Sequence, residues 1–475
     1  MKRAEEIVKK FADRACVTER ELKIGKKSVR VLFKSAVADA RLVGDLVRSL
    51  ERYEERELHM EGLMRNAVYV AESAIIKPGK RAADEAVSAI VSGDAVVIAE
   101  GIPEFLEVST RDYVTRSITE PPTSTVTFGP REGFIEDLRT NLNLISRRLK
   151  SPALAVKRTK IGRISNTEVA VVYLDNVAAP EVYQSVLDRL EKIDIDSVVD
   201  CHTIMPYLEE NPLSMFAQVG VSEKPDVVEA KLSEGRVAIF VDGSPLIMTV
   251  PFILLEDYQN SEDYYERPTF SSFARKIRLI AVFLGIVLPG IYVAMQTFHF
   301  DIFPLRFMIT VMTAVNGIPF SPLPEILFVI LLFEVIKEAS VRMPRAVGMA
   351  MSIVGGLVLG DTAVKAGIIS SPAVMIMALS SIAIYTVPNQ VGTLSLLRVM
   401  FTLLGGLGGL YFLSLSGLAL LIYLCNINVY GASYLSPLTP LMPGDLKDAF
   451  YLDSAIRMKK RPKAIPNINR VRRGG

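Results

Sequence analysis

The sequence contains few of the residues on which most catalytic and metal sites depend. Among its 475 residues there are no tryptophans, three cysteines and three histidines. It also lacks a Walker-type phosphate loop (GxxxxGKS/T), a GxGxxG turn after a strand and an HExxH motif. These absences argue against nucleotide-dependent, dinucleotide-dependent and zinc-dependent enzymes. We therefore predict a protein that is not an enzyme and that has no cofactor.

The cysteines and the net charge exclude further classes. Cys16, Cys201 and Cys425 are odd in number and far apart, which fits a reducing compartment and argues against a disulfide framework. Cys201 is adjacent to His202 in "DCHT", but no second pair completes four metal ligands, so we interpret this stretch as connector residues. The net charge of +2 argues against nucleic acid as a partner, because phosphate binding needs a concentrated basic face.

Charge and hydrophobicity are segregated along the chain. Half of the residues are hydrophobic and 22% are charged, yet residues 302–444 contain only six Lys or Arg and four Asp or Glu. This distribution predicts a soluble half followed by a membrane half. The N-terminal stretch "MKRAEEIVKKFADRA" is basic but has no apolar run behind it. We therefore expect no signal peptide and a cytoplasmic N-terminal region.

The soluble half contains an internal duplication. Residues 28–51 align without gaps on residues 168–191, and both copies have the pattern of a strand, a short turn and an amphipathic helix. Residues 86–101 similarly match residues 227–243, with a helix ended by glycine and then a buried strand. The repeat predicts two related α/β subdomains.

A connecting helix is predicted between the two copies, in "FGPREGFIEDLRTNLNLISRRLK" at residues 128–150. Its apolar side comprises Phe134, Leu138, Leu142, Ile145 and Leu149. A solvated face is the simpler interpretation of its charged side. The alternative is a surface that docks a partner or the membrane, for which the candidates are Arg131, Glu132, Arg139, Arg147 and Arg148.

The membrane half begins after the basic residues Arg275, Lys276 and Arg278. The following residues 279–298 are long and apolar enough to cross a bilayer, and the basic flank predicts a cytoplasmic start. Further spans are predicted at residues 346–367, 372–390 and 395–425. Glycine pairs separated by four residues, at 356 and 360 and at 405 and 409, predict close helix packing.

The topology is open at this stage. Five crossings would place the C-terminus outside, whereas the basic residues 457–475 favour the cytoplasm. Either residues 328–344 or part of 317–328 are re-entrant, or the 395–425 stretch bends back at Gly408 and Gly409.

Residues 328–344 carry charge inside an apolar run. On a helix, Glu334, Lys337, Glu338 and Arg342 form one stripe, opposite an apolar face. Because each charge at the bilayer centre costs roughly 2.5–3.5 kcal/mol, the stripe should not face lipid. One interpretation is an interfacial amphipathic helix. The other, which we favour, is a polar stripe that lines a pathway.

Prolines precede this stripe. Pro319, Pro322 and Pro324 predict irregular backbone at membrane depth, which is tolerated where protein or water covers it. We include them with the four charged residues as candidates for a pore or a gate.

Several long motifs in order resemble the GerA-type family of spore germination proteins, which includes the A subunits of germinant receptors. They are "GPREGF" (129–134), "RTNLNLISRRLK" (139–150), "LEKIDIDSV" (190–198), "KPDVVEAKLSEGRVAIFVDGSPLIMTVP" (224–251), "EDYYERP" (262–268), "PFSPLPE" (319–325), "EVIKEASVRMP" (334–344), "SIVGGLVLGDTAVKAG" (352–367) and "YLSPLTP" (434–440).

The resemblance implies a multi-pass protein of the endospore inner membrane. It implies a polytopic B subunit that senses the nutrient and a lipoprotein C subunit as partners. It also implies a homo-oligomer among membrane lipids that opens as a channel and releases monovalent cations early in germination. The similar stage V sporulation protein AF leaves an AF-like amplifier channel as an alternative, and a non-conducting receptor scaffold or a carrier with a ligand-binding cleft are others.

The predicted fold class is therefore α/β followed by α. Two duplicated α/β subdomains occupy residues 1–115 and 116–270, the latter including the connecting helix. A multi-span helical membrane domain occupies residues 271–445, and a basic C-terminal tail occupies residues 446–475.

Overall fold

The computed structural model describes residues 2–11, 17–24, 27–35, 37–53, 59–68, 74–77, 82–110, 128–302, 304–344, 347–348, 360–454 and 456–472. Three parts follow one another along the chain. We call residues 2–110 the first lobe, residues 128–264 the second lobe and residues 268–426 the helical region.

The first lobe is an antiparallel five-stranded sheet with helices. Its strands are ordered β1-β2-β4-β5-β3. The elements are α1 (Lys2–Lys9), β1 (Val17–Ile24), β2 (Lys27–Lys34), α2 (Ala40–Glu51), α3 (Met60–Val68), β3 (Ala74–Lys77), α4 (Ala82–Val91), β4 (Ala95–Ala99) and β5 (Phe105–Val108).

The second lobe repeats this arrangement. Its antiparallel sheet is ordered β6-β7-β9-β10-β8, which is the same order of equivalent strands. The elements are α5 (Leu138–Arg148), β6 (Leu154–Ile161), β7 (Thr167–Leu174), α6 (Pro180–Glu191), α7 (Cys201–Leu208), β8 (Gly220–Ser222), α8 (Pro225–Glu234), β9 (Val237–Val241) and β10 (Ile247–Val250).

The sequence repeat corresponds to equivalent elements in the two lobes. Strands β2 and β7 and helices α2 and α6 hold the first matched pair of segments. In the second pair, Gly93 and Gly235 end the helices with φ of 96° and 108°. A left-handed backbone at this point favours glycine, because a Cβ would be strained there. The predicted α/β repeat is therefore confirmed as two sheets of one topology.

The connecting helix is shorter than predicted. It begins at Leu138, where the Asp137 side chain caps it by accepting a hydrogen bond from Thr140 N. Phe134 therefore precedes the helix, and its assignment to the helical face was wrong. It is buried all the same, with its ring edge-on to Phe240 at a centroid distance of 5.7 Å.

The helical region starts after two short 3₁₀ segments, Leu254–Tyr258 and Ser261–Tyr264. Two stretches, Pro268–Phe298 and Pro388–Asn426, are long and apolar enough to cross a membrane. Most of the predicted span at 346–367 lies outside the described residues. The elements are α9 (Pro268–Phe298), a 3₁₀ turn (Phe300–Ile302), α10 (Leu305–Val315), α11 (Pro322–Arg342), α12 (Gly360–Lys365), α13 (Ser371–Ile384), a 3₁₀ turn (Pro388–Gln390) and α14 (Val391–Asn426).

Helix α14 reverses direction in its middle. Gly408 and Gly409 have non-helical dihedral angles, and Gly409 has a φ of 64°. Near the start of α14, Thr393 donates a hydrogen bond to the Met215 carbonyl at 2.7 Å. Near its end, the Tyr423 hydroxyl bonds the Ser214 hydroxyl at 2.9 Å. Because both ends reach the same loop of the second lobe, α14 is a hairpin of two arms, as one of the three topological alternatives proposed.

Glycine allows α9 and α14 to approach closely. A Cβ added at Gly405 would lie 2.5 Å from the Gly290 carbonyl oxygen, which is too close for any side chain. At the apex of the hairpin, a Cβ on Gly409 would lie 2.7 Å from the His299 ring. The predicted packing role is thus seen for Gly405, whereas Gly409 serves the reversal. Gly356 lies outside the described residues.

The chain after the hairpin returns to the second lobe. It forms β11 (Asn428–Val429), β12 (Ala432–Ser433) and α15 (Leu446–Ala449). Further on, Arg461 Nε donates to the Ser233 carbonyl at 2.6 Å, and Ile468 N donates to the Val177 carbonyl at 3.0 Å. The basic C-terminal segment, residues 456–472, therefore lies on the same side of the helical region as the second lobe.

Candidate functional site

The charges of α11 point in two directions. Glu334 and Lys337 pair with each other and turn towards α14, with side chains that are about one-third and one-quarter exposed. Glu338 and Arg342 pair with each other one turn further on and are mostly exposed, at 63% and 77%. The stripe predicted from the sequence is thus divided into an inner pair and an outer pair. A pore or gating role for either pair stays a prediction.

The inner pair has a third member, Arg398 on α14. Its side chain is 2% exposed, and its guanidinium donates to Glu334 Oε1 at 2.7 Å and to the Ser381 hydroxyl at 3.1 Å. Lys337 donates to the Ser395 hydroxyl at 3.2 Å. The two cations and one carboxylate leave a net charge of about +1 if all three are ionised. These polar contacts join α11, α13 and α14 within an apolar region.

A cavity of about 370 Å³ lies against this cluster, between α11, α13 and α14. Its wall combines the charged cluster with apolar and hydroxyl side chains. The lining includes Glu334, Lys337, Arg398, Ser381, Ser395 and Tyr385. A cavity with both charged and apolar walls can hold water or a small polar ligand.

The prolines before α11 lie at its start. Pro322 and Pro324 are in the first helical turn, after the N-cap residue Ser321. The irregular backbone predicted at these two residues was therefore wrong. A proline is compatible with the first turn because the N–H groups there have no partner within the helix. Pro319 lies before the helix, in the non-helical segment that follows Gly317 with its φ of 88°.

The docking candidates around α5 form a local ion cluster. Arg147 and Arg148 both donate to the Glu132 carboxylate, the second at 2.8 Å. Burial would raise the pKa of Glu132, but hydrogen bonds from the two arginines lower it below its usual value. Arg131 and Arg139 are exposed. Docking of a partner or the membrane at this surface stays a prediction.

Asp263 joins the second lobe to the start of α9. Its carboxylate accepts hydrogen bonds from Arg275 at 3.1 Å and from Arg278 at 2.7 Å. Arg275 is 1% exposed and also bonds Asp448. Burial alone would raise the pKa of Asp263, but hydrogen bonding and charge from the arginines lower it. The basic flank of the predicted span is thus bound to the second lobe.

The "DCHT" residues form a local hydrogen-bonded group at the start of α7. His202 Nδ1 lies 2.7 Å from Asp200 Oδ2, and the Ser244 hydroxyl donates to the other oxygen. Although burial would raise the pKa of Asp200, these hydrogen bonds lower it to about 2. Burial raises the pKa of the Cys201 thiol to about 11, so it is protonated at neutral pH. Since nucleophilic attack needs the thiolate, this raised pKa argues against a nucleophilic role for Cys201. The ligand atoms of Asp200, Cys201 and His202 lie within 4.8 Å of one another, and among the described residues no fourth ligand joins them.

Sequence reasoning missed Arg398 and Asp263. A signal for Arg398 was present, since it is the one charged residue in 391–426. A charged residue in such a run calls for a partner of opposite charge, and Glu334 in the neighbouring apolar run was available. Asp263 lies within the quoted "EDYYERP" motif, but nothing local indicates which of its acids faces α9.

Comparison with known proteins identifies the family. The model of the Bacillus/Clostridium GerA spore germination protein family matches residues 5–464. Spore germination protein KA of Bacillus subtilis (strain 168) is 37% identical over 82% of this chain and 72% of its own length. Spore germination protein GerLA of Bacillus cereus is 32% identical over 87% of this chain and 86% of its own.

A solved structure is also similar. The N-terminal domain of the A subunit of the Bacillus megaterium spore germinant receptor GerK3 matches with a TM-score of 0.39 and 25% sequence identity. The match covers 52% of this chain and 91% of that one.

Proposed function

This chain belongs to the GerA family of spore germination proteins, and we propose that it is the A subunit of a germinant receptor. In this proposal it lies in the inner membrane of the endospore with its lobes in the cytoplasm. It forms a homo-oligomer, works with a polytopic B subunit and a lipoprotein C subunit, and transduces the nutrient signal as a gated channel for monovalent cations.

Membrane insertion is supported by the helical region. Helix α9 and the α14 hairpin carry many exposed apolar side chains, among them Phe283, Leu415, Leu418 and Ile422, each more than half exposed. Exposed apolar surface of this extent needs lipid or protein to cover it. Each arm of the hairpin has about 17 residues and spans about 26 Å, close to the thickness of a bilayer core of about 30 Å.

The observation that carries the channel proposal is the division of the α11 charges. Arg398 and Lys337 both pair with Glu334 inside the protomer, whereas Glu338 and Arg342 remain on the outer surface of an apolar helix. Charges so placed are costly against lipid, so we propose that they face water in the middle of a ring of subunits. The inner cluster then fixes the orientation of α11 with respect to α14.

The signal would reach α11 through the second lobe. The loop at Ser214 and Met215 contacts both ends of the α14 hairpin, and α14 holds Glu334 through Arg398. A partner bound at the arginine-rich face around α5 would therefore act on the helical region through packed, hydrogen-bonded elements. We propose Arg131 and Arg139 as its first contacts.

Replacement of the outer carboxylate tests the channel proposal. We expect Glu338→Ala to change the rate of monovalent cation release from spores by several-fold, without a change in the mass of the detergent-solubilised complex. Asp361→Ala is the matched control, because Asp361 forms a similar exposed pair with Lys365 outside α11. Normal cation release in Glu338→Ala would remove the outer pair from the mechanism and favour a scaffold.

Native mass spectrometry tests the oligomer separately. A closed homo-oligomer would support the ring, since a closed assembly can enclose the outer pair in water. A monomer, or a strict one-to-one complex with other subunits, would contradict it.

A further inference from the structure

A second acidic residue of α11 is buried without a cation. Glu325 lies in the first turn of the helix and is 0% exposed. Its Oε1 atom accepts a hydrogen bond from Ser370 N at 2.5 Å, while Oε2 is buried and has no hydrogen-bond partner. Within the described part of the chain, no lysine, arginine or histidine forms an ion pair with it. A buried carboxylate oxygen in this condition is costly unless something electropositive lies beside it.

A polar side chain on α9, Gln296, also has a buried oxygen atom without a hydrogen-bond partner. Gln296 Nε2 donates to the Tyr292 hydroxyl at 2.9 Å, whereas Gln296 Oε1 is buried and has no hydrogen-bond partner. Tyr292 packs in one cluster with Ile326 and Ile369, the residues next to Glu325 and Ser370 in the sequence. Tyr292 and Gln296 are one helical turn apart, so they present their oxygens on one side of α9.

The surroundings of these atoms are apolar. Tyr292 packs with Ile326, Val329, Ile369 and other side chains of α9, α11 and α13. The two unpartnered atoms, Glu325 Oε2 and Gln296 Oε1, are both hydrogen-bond acceptors. A second acceptor cannot satisfy either of them. A water molecule can donate a hydrogen bond to each, but it leaves the carboxylate charge unbalanced, whereas a cation satisfies the oxygens and balances that charge.

A cavity beside α10 reaches Gln296. This cavity of about 670 Å³ is lined by Gln296, by Pro322 in the same turn as Glu325, and by residues of α10 and its C-cap such as Thr313 and Asn316. An ion that enters this cavity meets Gln296 on its wall.

We propose that Glu325, Gln296 and Tyr292 bind a monovalent metal cation, Na⁺ or K⁺, between α9 and α11. Carboxylate, amide and phenol oxygens are hard ligands, which alkali and alkaline-earth cations accept and softer transition metals do not prefer. A single carboxylate balances one positive charge. Divalent cations usually take more carboxylates or keep several waters, and these surroundings are apolar.

Helix α13 contributes to the site by holding the Glu325 carboxylate in place. Ser370 is the N-cap of α13, and its N–H points at Glu325 Oε1. The positive end of a helix dipole stabilises negative charge, so α13 orients one oxygen and leaves the other for the cation. The cation would thus hold the start of α11 against α9 and α13.

This inference deepens the proposed function and rests on it for the consequence that a bound cation would influence ion release. Binding itself is measured apart from release. The test uses the full-length protein in detergent micelles, at constant ionic strength, with choline chloride exchanged stepwise for NaCl or KCl. Because the chain lacks tryptophan, thermal unfolding is followed by circular dichroism, and binding by equilibrium dialysis of ²²Na⁺ or ⁸⁶Rb⁺.

We expect the unfolding temperature of the wild type to rise and saturate with one cation, since a ligand of the folded state stabilises it by mass action. Glu325→Gln should weaken cation binding by more than about tenfold, because only neutral ligands remain. Asp361→Asn removes an exposed carboxylate of the helical region outside α11 and should leave binding unchanged. Gln296→Met, of similar size but without the amide oxygen, should weaken binding and serves as the second variant if Glu325→Gln does not fold.

Two different results would contradict the proposed cation site. No cation-specific effect in the wild type would show that Glu325 only caps α13, and equal binding in wild type and Glu325→Gln would place the cation elsewhere. Either result overturns the inference. Cation binding that depends on Glu325, combined with normal ion release in Glu338→Ala, would retain this site and remove the outer pair from the mechanism.

Discussion

The two lobes have the same strand order, but their hydrophobic cores end in different places. Among the described residues, the two core clusters of the first lobe contain only side chains from positions 4–108. One core cluster of the second lobe continues without a break into the helical region. It extends from Val171 in β7 to Val287 in α9 and Leu397 in α14.

The difference shows that one copy of a duplicated domain can pack on a further region of the chain while the other copy keeps a separate core. In the second lobe, polar contacts accompany the shared core, as at Asp263 with Arg275 and Arg278. The first lobe keeps the same sheet, and most of the ion pairs among its described residues lie at the surface, for example Arg48 with Asp45. One copy is thus fused to the helices, whereas the described core of the other ends within its own lobe.

Loss of the Asp263 carboxylate, which connects the second lobe to α9, should have the largest effect on stability. We expect Asp263→Asn to reduce the free energy of unfolding by about 3 kcal/mol, because Arg275 would be left buried with a weaker partner. The measurement is a guanidinium titration of the detergent-solubilised protein. Asp45→Asn in the first lobe, which breaks an exposed pair, should cost less than about 0.5 kcal/mol. Equal effects in the two variants would contradict the comparison.

In the wild type, low pH should weaken the same ion pairs between Asp263 and the arginines of α9. The folded-state pKa of Asp263 lies below its unfolded value, so its contribution to stability is present above the unfolded pKa of about 4 and is lost as pH falls through the folded one. The loss should not exceed that of Asp263→Asn. Unfolding midpoints between pH 6 and pH 3 measure it. In Asp263→Asn this part of the pH dependence should disappear.

Disruption of a buried ion cluster within the second lobe should cause the second-largest loss of stability. Glu256, which is 8% exposed, binds Arg236 at 2.8 Å and Lys231 at 2.9 Å. We expect Glu256→Gln to cost about 2 kcal/mol, less than a fully broken pair because Glu234 still holds Arg236. Asp84→Asn, at an exposed ion pair on α4 of the first lobe, is the control. A larger loss in the control would reverse the order of the two lobes.

The smallest effect should come from one hydrogen bond after the hairpin. The Tyr434 hydroxyl donates to the Ala217 carbonyl at 2.9 Å, and the side chain is 0% exposed. Tyr434→Phe should cost about 1 kcal/mol, the usual worth of one such bond. Tyr451→Phe, at an exposed tyrosine, should have no measurable effect. A neutral Tyr434→Phe would mean that this contact adds little to the attachment.

Local patterns in the sequence predict the parts of the fold that depend on near neighbours. The repeat, the glycine that ends α8 and the apolar run of α9 follow from periodicity and backbone preference. The hairpin at Gly408 and Gly409 was one alternative among three, because a glycine pair permits either close packing or a reversal. The choice depends on which loop receives the two ends, and that is a property of the whole fold.

The candidate site was less predictable for the same reason. Glu334 and Lys337 were recognised as charges that avoid lipid, but Arg398 lies 64 residues away and pairs with Glu334 only once α11 and α14 pack. Glu325 stood in the quoted "PFSPLPE" motif without attention, because a single acid near a helix start usually serves the helix dipole. That its Oε2 atom is buried without a hydrogen-bond partner is seen only in the folded structure.

The return of the C-terminal segment sets an order of events during synthesis. Arg461 reaches Ser233 across 228 residues, and Tyr430 reaches Leu208 across 222. Domains generally fold as the chain emerges from the ribosome, and contacts between distant residues form late. The first lobe can therefore mature while translation continues. The second must wait, with its attachment surface uncovered, until the helical region and residues 456–472 have been synthesised.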